Sequence, residues 1–261
     1  MLPIRDNNPT KTFPVVTIGL ILTNLFVYYK QVTLGPAFDA KFSLIPQEVT
    51  TGQQLTGIVT VSAGHVFFQP GIPTSPLAGN QILLLPPPHP CWITIFTAMF
   101  MHAGLLHIGG SMLVLWIFGD NVEDALGKVR YLFFYLICGV AAAIAQIAIA
   151  PTSLIPTLGA SGAIAGVMAA YIVMYPRARV LSVIFLVFFV FFREISAFWV
   201  IGIWIALQVI PGISSLNTNM SGGIAYFAHI GGFVTGLILT LLLGGNRLSA
   251  SQRRRARYNI R

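Results

Sequence analysis

Apolar residues gather in long segments separated by short polar breaks. A helix needs roughly 20 predominantly apolar residues to cross a bilayer core about 30 Å thick. Six segments approach that length: Phe13–Tyr29, Trp92–Gly119, Arg130–Ala150, Ser161–Tyr175, Ala197–Ile210 and Ala225–Leu243. The pattern predicts an all-α, polytopic membrane bundle of six transmembrane helices. The fourth and fifth segments are short, which predicts spans enclosed by their neighbours. Val180–Phe192 is also apolar but is followed by Arg193-Glu194, and it reads as an interfacial or kinked lead-in to the fifth helix. The connection 31–90 is rich in Pro and Gly, ends in "LLLPPPHP" and carries the apolar patches "HVFFQPGI" and "ILLL". It predicts irregular structure lying on, or dipping into, the outer leaflet. The chain thus divides into an N-terminal cytoplasmic tail, 1–12, a membrane domain, 13–243, and a basic cytoplasmic tail, 244–261. No internal repeat is evident.

Composition supports the membrane reading. Hydrophobic residues make up 56% of the chain and charged residues 8%, against about 25% charged in a typical soluble domain. The net charge of +8 would suggest nucleic acid in a soluble protein. Its distribution gives another account. With the N-terminus in the cytoplasm, 13 of the 15 Lys and Arg residues fall in cytoplasmic segments, and only Lys30 and Lys41 lie outside. Cytoplasmic flanks carry such an excess, so the asymmetry favours six crossings with both termini inside. No nucleic-acid partner is expected. The tail "RRRARYNIR" reads as a stop-transfer flank that can also meet anionic lipid. Cys91 and Cys138 fall at different depths, which argues against a disulfide. The first apolar run is too long for a signal-peptide core and lacks a small-residue cleavage site after it.

Ionisable side chains inside a membrane are costly, and each is a functional candidate. His102 and His107 lie in the second segment, within "FMHAGLLHIGGSM", and His229 in the sixth, within "FAHIGGFVTG". Ser161 opens the fourth, within "TLGASGAIAGVMAAY". At about 1.5 Å per helical residue, Ser161 lies roughly 24 Å from Arg177, His229 roughly 27 Å from Arg247, and His107 roughly 20 Å from Asp120. Three residues from three helices therefore share one layer, a little below the outer surface. Small residues let helices approach closely in lipid. Gly159 precedes the fourth segment, which has Gly162 and Gly166, and the sixth has Gly232 and Gly236 on the face of His229. These glycines can bring the Ser161 hydroxyl to a ring nitrogen of His229.

A serine hydroxyl becomes a good nucleophile when a base takes its proton. His229 can do so and later protonate the leaving amine. The oxyanion needs fixed donors, which the free backbone N–H groups at the start of the fourth helix and His107 can supply. No Asp or Glu within the spans is placed to orient His229, so the arrangement is a dyad. Metal-dependent proteolysis lacks its HExxH pattern, and no span holds paired aspartates. The soluble-hydrolase elbow requires Gly where Ala163 stands. No metal or cofactor is expected.

"FTAMFMHAGLLHIGGSMLVLWIFGDNVEDALG", "GASGAIAGV", "YPRARV" and "AHIGGFVTG" follow one another in an order and spacing that resemble the rhomboid intramembrane serine proteases. The resemblance covers nearly the whole chain. It implies a six-helix core, a catalytic serine at Ser161, a catalytic histidine at His229, and second-helix histidines at His102 and His107, the latter beside the oxyanion. It also implies a serine-type endopeptidase acting on transmembrane or juxtamembrane segments of other membrane proteins, with a small residue before the scissile bond. Three positions depart from the family pattern. Ser111 stands where an Asn donor is usual, which predicts a weaker oxyanion site. Trp92-Ile93 stands where many members have Trp-Arg. Ala165 replaces an aromatic that stacks on the catalytic histidine in some members, which predicts a less defined His229. The alternatives are a catalytically weak or inactive rhomboid-like protein that binds membrane clients, or a channel or transporter lined by these polar residues. A multi-pass protein of a bacterial-type plasma membrane is the expected setting.

Overall fold

The computed structural model describes residues 2–62, 65–73, 75–186, 189–216 and 225–245. The basic tail from Asn246 onward, expected on the cytoplasmic side, lies outside the described residues. The protein is mostly helical, and four helices are long and apolar enough to cross a membrane. These are α1 (Val15–Leu34), α5 (Leu105–Leu126), α6 (Lys128–Ile149) and α8 (Ala197–Leu216). Two shorter apolar helices, α7 (Ser161–Met174) and α9 (Tyr226–Leu242), pack among them. At 14 residues, α7 is about 21 Å long, too short to span a bilayer core alone.

Large side chains such as Leu22, Phe26, Trp116, Phe133, Trp199 and Leu207 are exposed on the outer helices, while α7 is buried along almost its whole length. An apolar exterior around a buried central helix suits lipid as the surrounding solvent. The central packing rests on glycines. A methyl group on Gly232 would overlap the carbonyl oxygen of Gly162, and one on Gly236 would overlap the backbone of Gly166. The backbones of α7 and α9 are therefore in direct contact.

The fifth segment, expected to be short and enclosed, is the 20-residue α8 with Trp199 and Leu207 exposed, and four further expectations need correction. The apolar stretch Trp92–Gly119 is not one helix. Residues 91–100 form short turns, 3-10 at Cys91–Ile93, α4 at Thr94–Thr97 and 3-10 again at Ala98–Phe100, before α5 starts at Leu105. The break has a partner: the Gln31 side chain donates to His102 O (3.1 Å) and accepts from His102 N (2.8 Å), replacing the helical hydrogen bonds that residue would make. His102 thus precedes α5, and His107 sits in its first turn. Second, the chain is not all-α. Val180–Phe192 belongs to a hairpin of β5 (Arg179–Leu186) and β6 (Phe189–Ser196), not to a helical lead-in. Its density of Val, Ile and Phe favours a strand, and the partner is the third correction: part of the expected N-terminal tail forms β1 (Leu2–Asp6), which pairs with β5.

Fourth, the described residues of the connection 31–90 form regular elements. It holds α2 (Pro36–Phe42), α3 (Pro46–Thr51) and a sheet in which β2 (Gly57–Ser62) pairs with β3 (His65–Pro70) and β4 (Gln81–Leu84). Ile45, Val59 and Leu84 make a small core beneath that sheet. Polar groups join the elements at the opposite end. Glu123 of α5 accepts from Val16 N (3.0 Å), Thr17 N (2.8 Å) and the Thr17 hydroxyl (2.8 Å), satisfying free donors at the start of α1. Asp6 of β1 accepts from the Tyr171 hydroxyl of α7 and from Asn121 Nδ2 of α5 (3.0 Å).

Candidate active site

Ser161 is the first residue of α7. The chain reaches it through a paired segment: Thr157 exchanges backbone hydrogen bonds with Leu44, and Gly159 N donates to Ala98 O (2.9 Å). Gly159 has φ of 137°, a conformation that strains any side chain. It lies before the helix, so it shapes the turn into Ser161 and does not pack a helix face. Gly162 and Gly166 do pack, as do Gly232 and Gly236 across from them. That contact brings the first turn of α9 against the first turn of α7. His229 Nε2 lies 2.7 Å from Ser161 Oγ.

Two side chains of α8 complete the surroundings of His229. Gln208 Oε1 lies 2.7 Å from His229 Nδ1, and the Trp204 ring is 5.5 Å from the imidazole, centroid to centroid. The sequence predicts a less defined His229 beside the small Ala165; an aromatic packs on the histidine from another helix instead. Neither Gln208 nor Trp204 stood out in the sequence. A search for an orienting acid passes over a glutamine. The signal that could have found both is their i, i+4 spacing in an otherwise apolar segment.

His107 approaches from α5. Its Nδ1 accepts the N–H of Ala103 (3.3 Å), so the ring proton belongs on Nε2. A methyl at Gly159 would lie 3.2 Å from His107 Nε2 and 3.3 Å from Ser161 Oγ. Gly159 therefore leaves open the space between that donor and the hydroxyl. His102 is buried behind, its ring packed edge-on to His107 at 5.0 Å. Ser111 is buried one turn further along α5 and is not among the residues that line the cavity. The structure thus gathers Ser161, His229 and His107, and leaves His102 and Ser111 outside the gathering.

The three face a cavity of about 540 Å³ whose wall also includes Gln146, Ser153, Thr157 and Gln208. A narrower recess of about 30 Å³ adjoins Ser161, lined by small residues including Ala98, Ala142, Gly159 and Gly162. A hydroxyl hydrogen-bonded to an imidazole, beside a donor and an accessible cavity, has the parts that acyl transfer needs.

Residues 89–246 match the family model described as Rhomboid domain, which is more than half of the chain. The chain belongs to the rhomboid family. It is 26% identical over 256 residues to the chloroplastic Rhomboid-like protein 11 of Arabidopsis thaliana, covering 92% of this chain and 83% of that one. It is 31% identical over 153 residues to Rhomboid protease GluP of Bacillus subtilis, covering 59% of this chain and 26% of GluP. Mitochondrial Rhomboid protein 1 of Saccharomyces cerevisiae is 27% identical over 151 residues, with 56% and 40% covered. This rhomboid chain thus spans most of the first relative and less than half of the other two. Chloroplastic and mitochondrial relatives leave the expected bacterial plasma membrane without support; an integral membrane protein is what the apolar helices indicate.

Proposed function

We propose that this rhomboid-family protein is an intramembrane serine endopeptidase that cuts transmembrane or juxtamembrane segments of other membrane proteins. The observation that carries the reading is the 2.7 Å contact between Ser161 Oγ and His229 Nε2 at the wall of an accessible cavity. In this reading the Ser161 proton passes to His229 Nε2 as Oγ attacks the scissile carbonyl. His229 then returns that proton to the leaving amine. The oxyanion is received by His107 Nε2–H and the free N–H groups at the start of α7. His102 supports His107 by packing. The small recess beside Ser161 suits a small side chain before the scissile bond. α7 and α9 complete six crossings, with both termini on the cytoplasmic side.

A second reading, a weak or inactive protein that binds membrane clients, draws on Ser111. It is buried and is not among the residues that line the cavity, and loss of one oxyanion donor costs ~10²–10³ in rate. Incubation of the purified protein with a fluorophosphonate probe and a model transmembrane substrate separates the two. Labelling and cleavage by the wild type, both abolished in Ser161→Ala, is the expected result. A wild type that neither labels nor cleaves would favour the client-binding reading.

A further inference from the structure

We infer that Gln208 is a positioning residue for catalysis: its carbonyl oxygen holds the proton on His229 Nδ1 and thereby leaves Nε2 as the acceptor for Ser161. The inference rests on the protease reading above. It begins with the amide itself. Gln208 Nε2 donates to the carbonyl oxygen of Trp204 in its own helix, at 3.4 Å. That bond decides which end of the amide faces the imidazole, because the reversed amide would set its NH2 against His229 and its oxygen against another oxygen. Oε1 therefore faces Nδ1, at 2.7 Å. An amide oxygen only accepts, so the imidazole must donate from Nδ1. A neutral imidazole carries one N–H, so Nε2 has the lone pair, and Nε2 is the atom 2.7 Å from Ser161 Oγ.

The remaining freedom of the ring is rotation, and Trp204 restricts it by packing against the imidazole. Trp204 and Gln208 are one turn apart on α8, so one helix face supplies both constraints. In a charged triad a carboxylate plays the corresponding part and also stabilises the imidazolium. A carboxylate is expensive to hold at membrane depth, whereas a hydrogen-bonded neutral amide costs less. Gln208 gives the orientation and the tautomer without the charge. As Ser161 attacks, its proton moves to Nε2 while the Nδ1–H bond to Gln208 stays intact. When the amine leaves, the Nε2 proton goes with it and the original tautomer returns.

The test uses the full-length protein in detergent micelles, with Gln208→Leu and Gln208→Glu. Leucine keeps the bulk and removes the acceptor; glutamate keeps an acceptor oxygen. Gln208→Leu is expected to lower kcat on a model transmembrane substrate roughly 10- to 100-fold with KM little changed, short of the ~10⁴ lost when a charged triad holds the wrong tautomer. Gln208→Glu is expected to recover part of that loss, because it restores an acceptor oxygen but places a carboxyl at membrane depth. Imidazole ¹⁵N spectra, with the His229 signals assigned by their disappearance in His229→Ala, report the tautomer without any need for turnover. They should show Nδ1 protonated in the wild type and mixed protonation in Gln208→Leu. Unchanged kcat and an unchanged spectrum in Gln208→Leu would overturn the inference and leave the protease reading standing. So would equal losses in both variants with no spectral change, which indicate only a packing role. A wild type that does not cleave, but whose Nδ1 protonation becomes mixed in Gln208→Leu, would overturn the protease reading and leave only the control of the His229 tautomer by Gln208 standing.

Discussion

Glu48 lies in α3 with 2% of its surface exposed, and its Oε1 accepts the N–H of Leu55 at 2.8 Å. Burial pushes its carboxyl up to about 7 from the ordinary 4.5. Between those values the folded state keeps a proton that the unfolded chain has lost. The contribution is therefore fully present below the unfolded value and disappears as pH rises through the folded one. Thermal unfolding in detergent should show a midpoint that falls from pH ~5 to pH ~8, and Glu48→Gln should flatten that slope. At this scale the sequence exposed the chemistry unevenly. Ser161, His107 and His229 were legible because a hydroxyl and two imidazoles are conspicuous among apolar residues at matched depth. Gln208 was not, because the meaning of a neutral amide depends on what stands 2.7 Å away.

The contact between α7 and α9 carries the site. Gly236 touches the backbone of Gly166, so even a methyl there forces the helices apart. Gly236→Ala should destabilise the protein by about 1–3 kcal/mol, the usual cost of overpacking. It should also slow fluorophosphonate labelling of Ser161, since separation of the helices lengthens the bond to His229. A lowered unfolding midpoint with unaltered labelling would show that the dyad does not depend on this contact. The glycine spacing was readable because it repeats on one helix face. The hairpin of β5 and β6 was not. An apolar run of this length suits a helix or a strand equally well, and its pairing with β1 joins residues about 175 positions apart. The break before α5 was hidden for the same reason, since the Gln31 side chain that satisfies His102 comes from α1.

For the whole molecule, the expected arrangement places Thr10 and the α8 end of the hairpin on one side of the membrane and Thr51 on the other. Single cysteines at positions 10, 51 and 251, in a chain whose Cys91 and Cys138 are buried, test this with an impermeant maleimide. Cysteines at 10 and 251 should label from the same side and the one at 51 from the opposite side. Labelling of 10 and 251 from opposite sides would exclude six crossings. By itself the sequence determined the membrane class, the approximate helix segments, the rhomboid resemblance and the serine and histidine candidates. All of these follow from composition, run length and local spacing, which act along the chain. Only the tertiary structure decided which apolar runs became strands, where the second segment breaks, and that α8 supplies Trp204 and Gln208 to His229. Those outcomes depend on partners distant in sequence, because a backbone or side-chain polar group buried in an apolar bundle takes the conformation in which some other element can satisfy it.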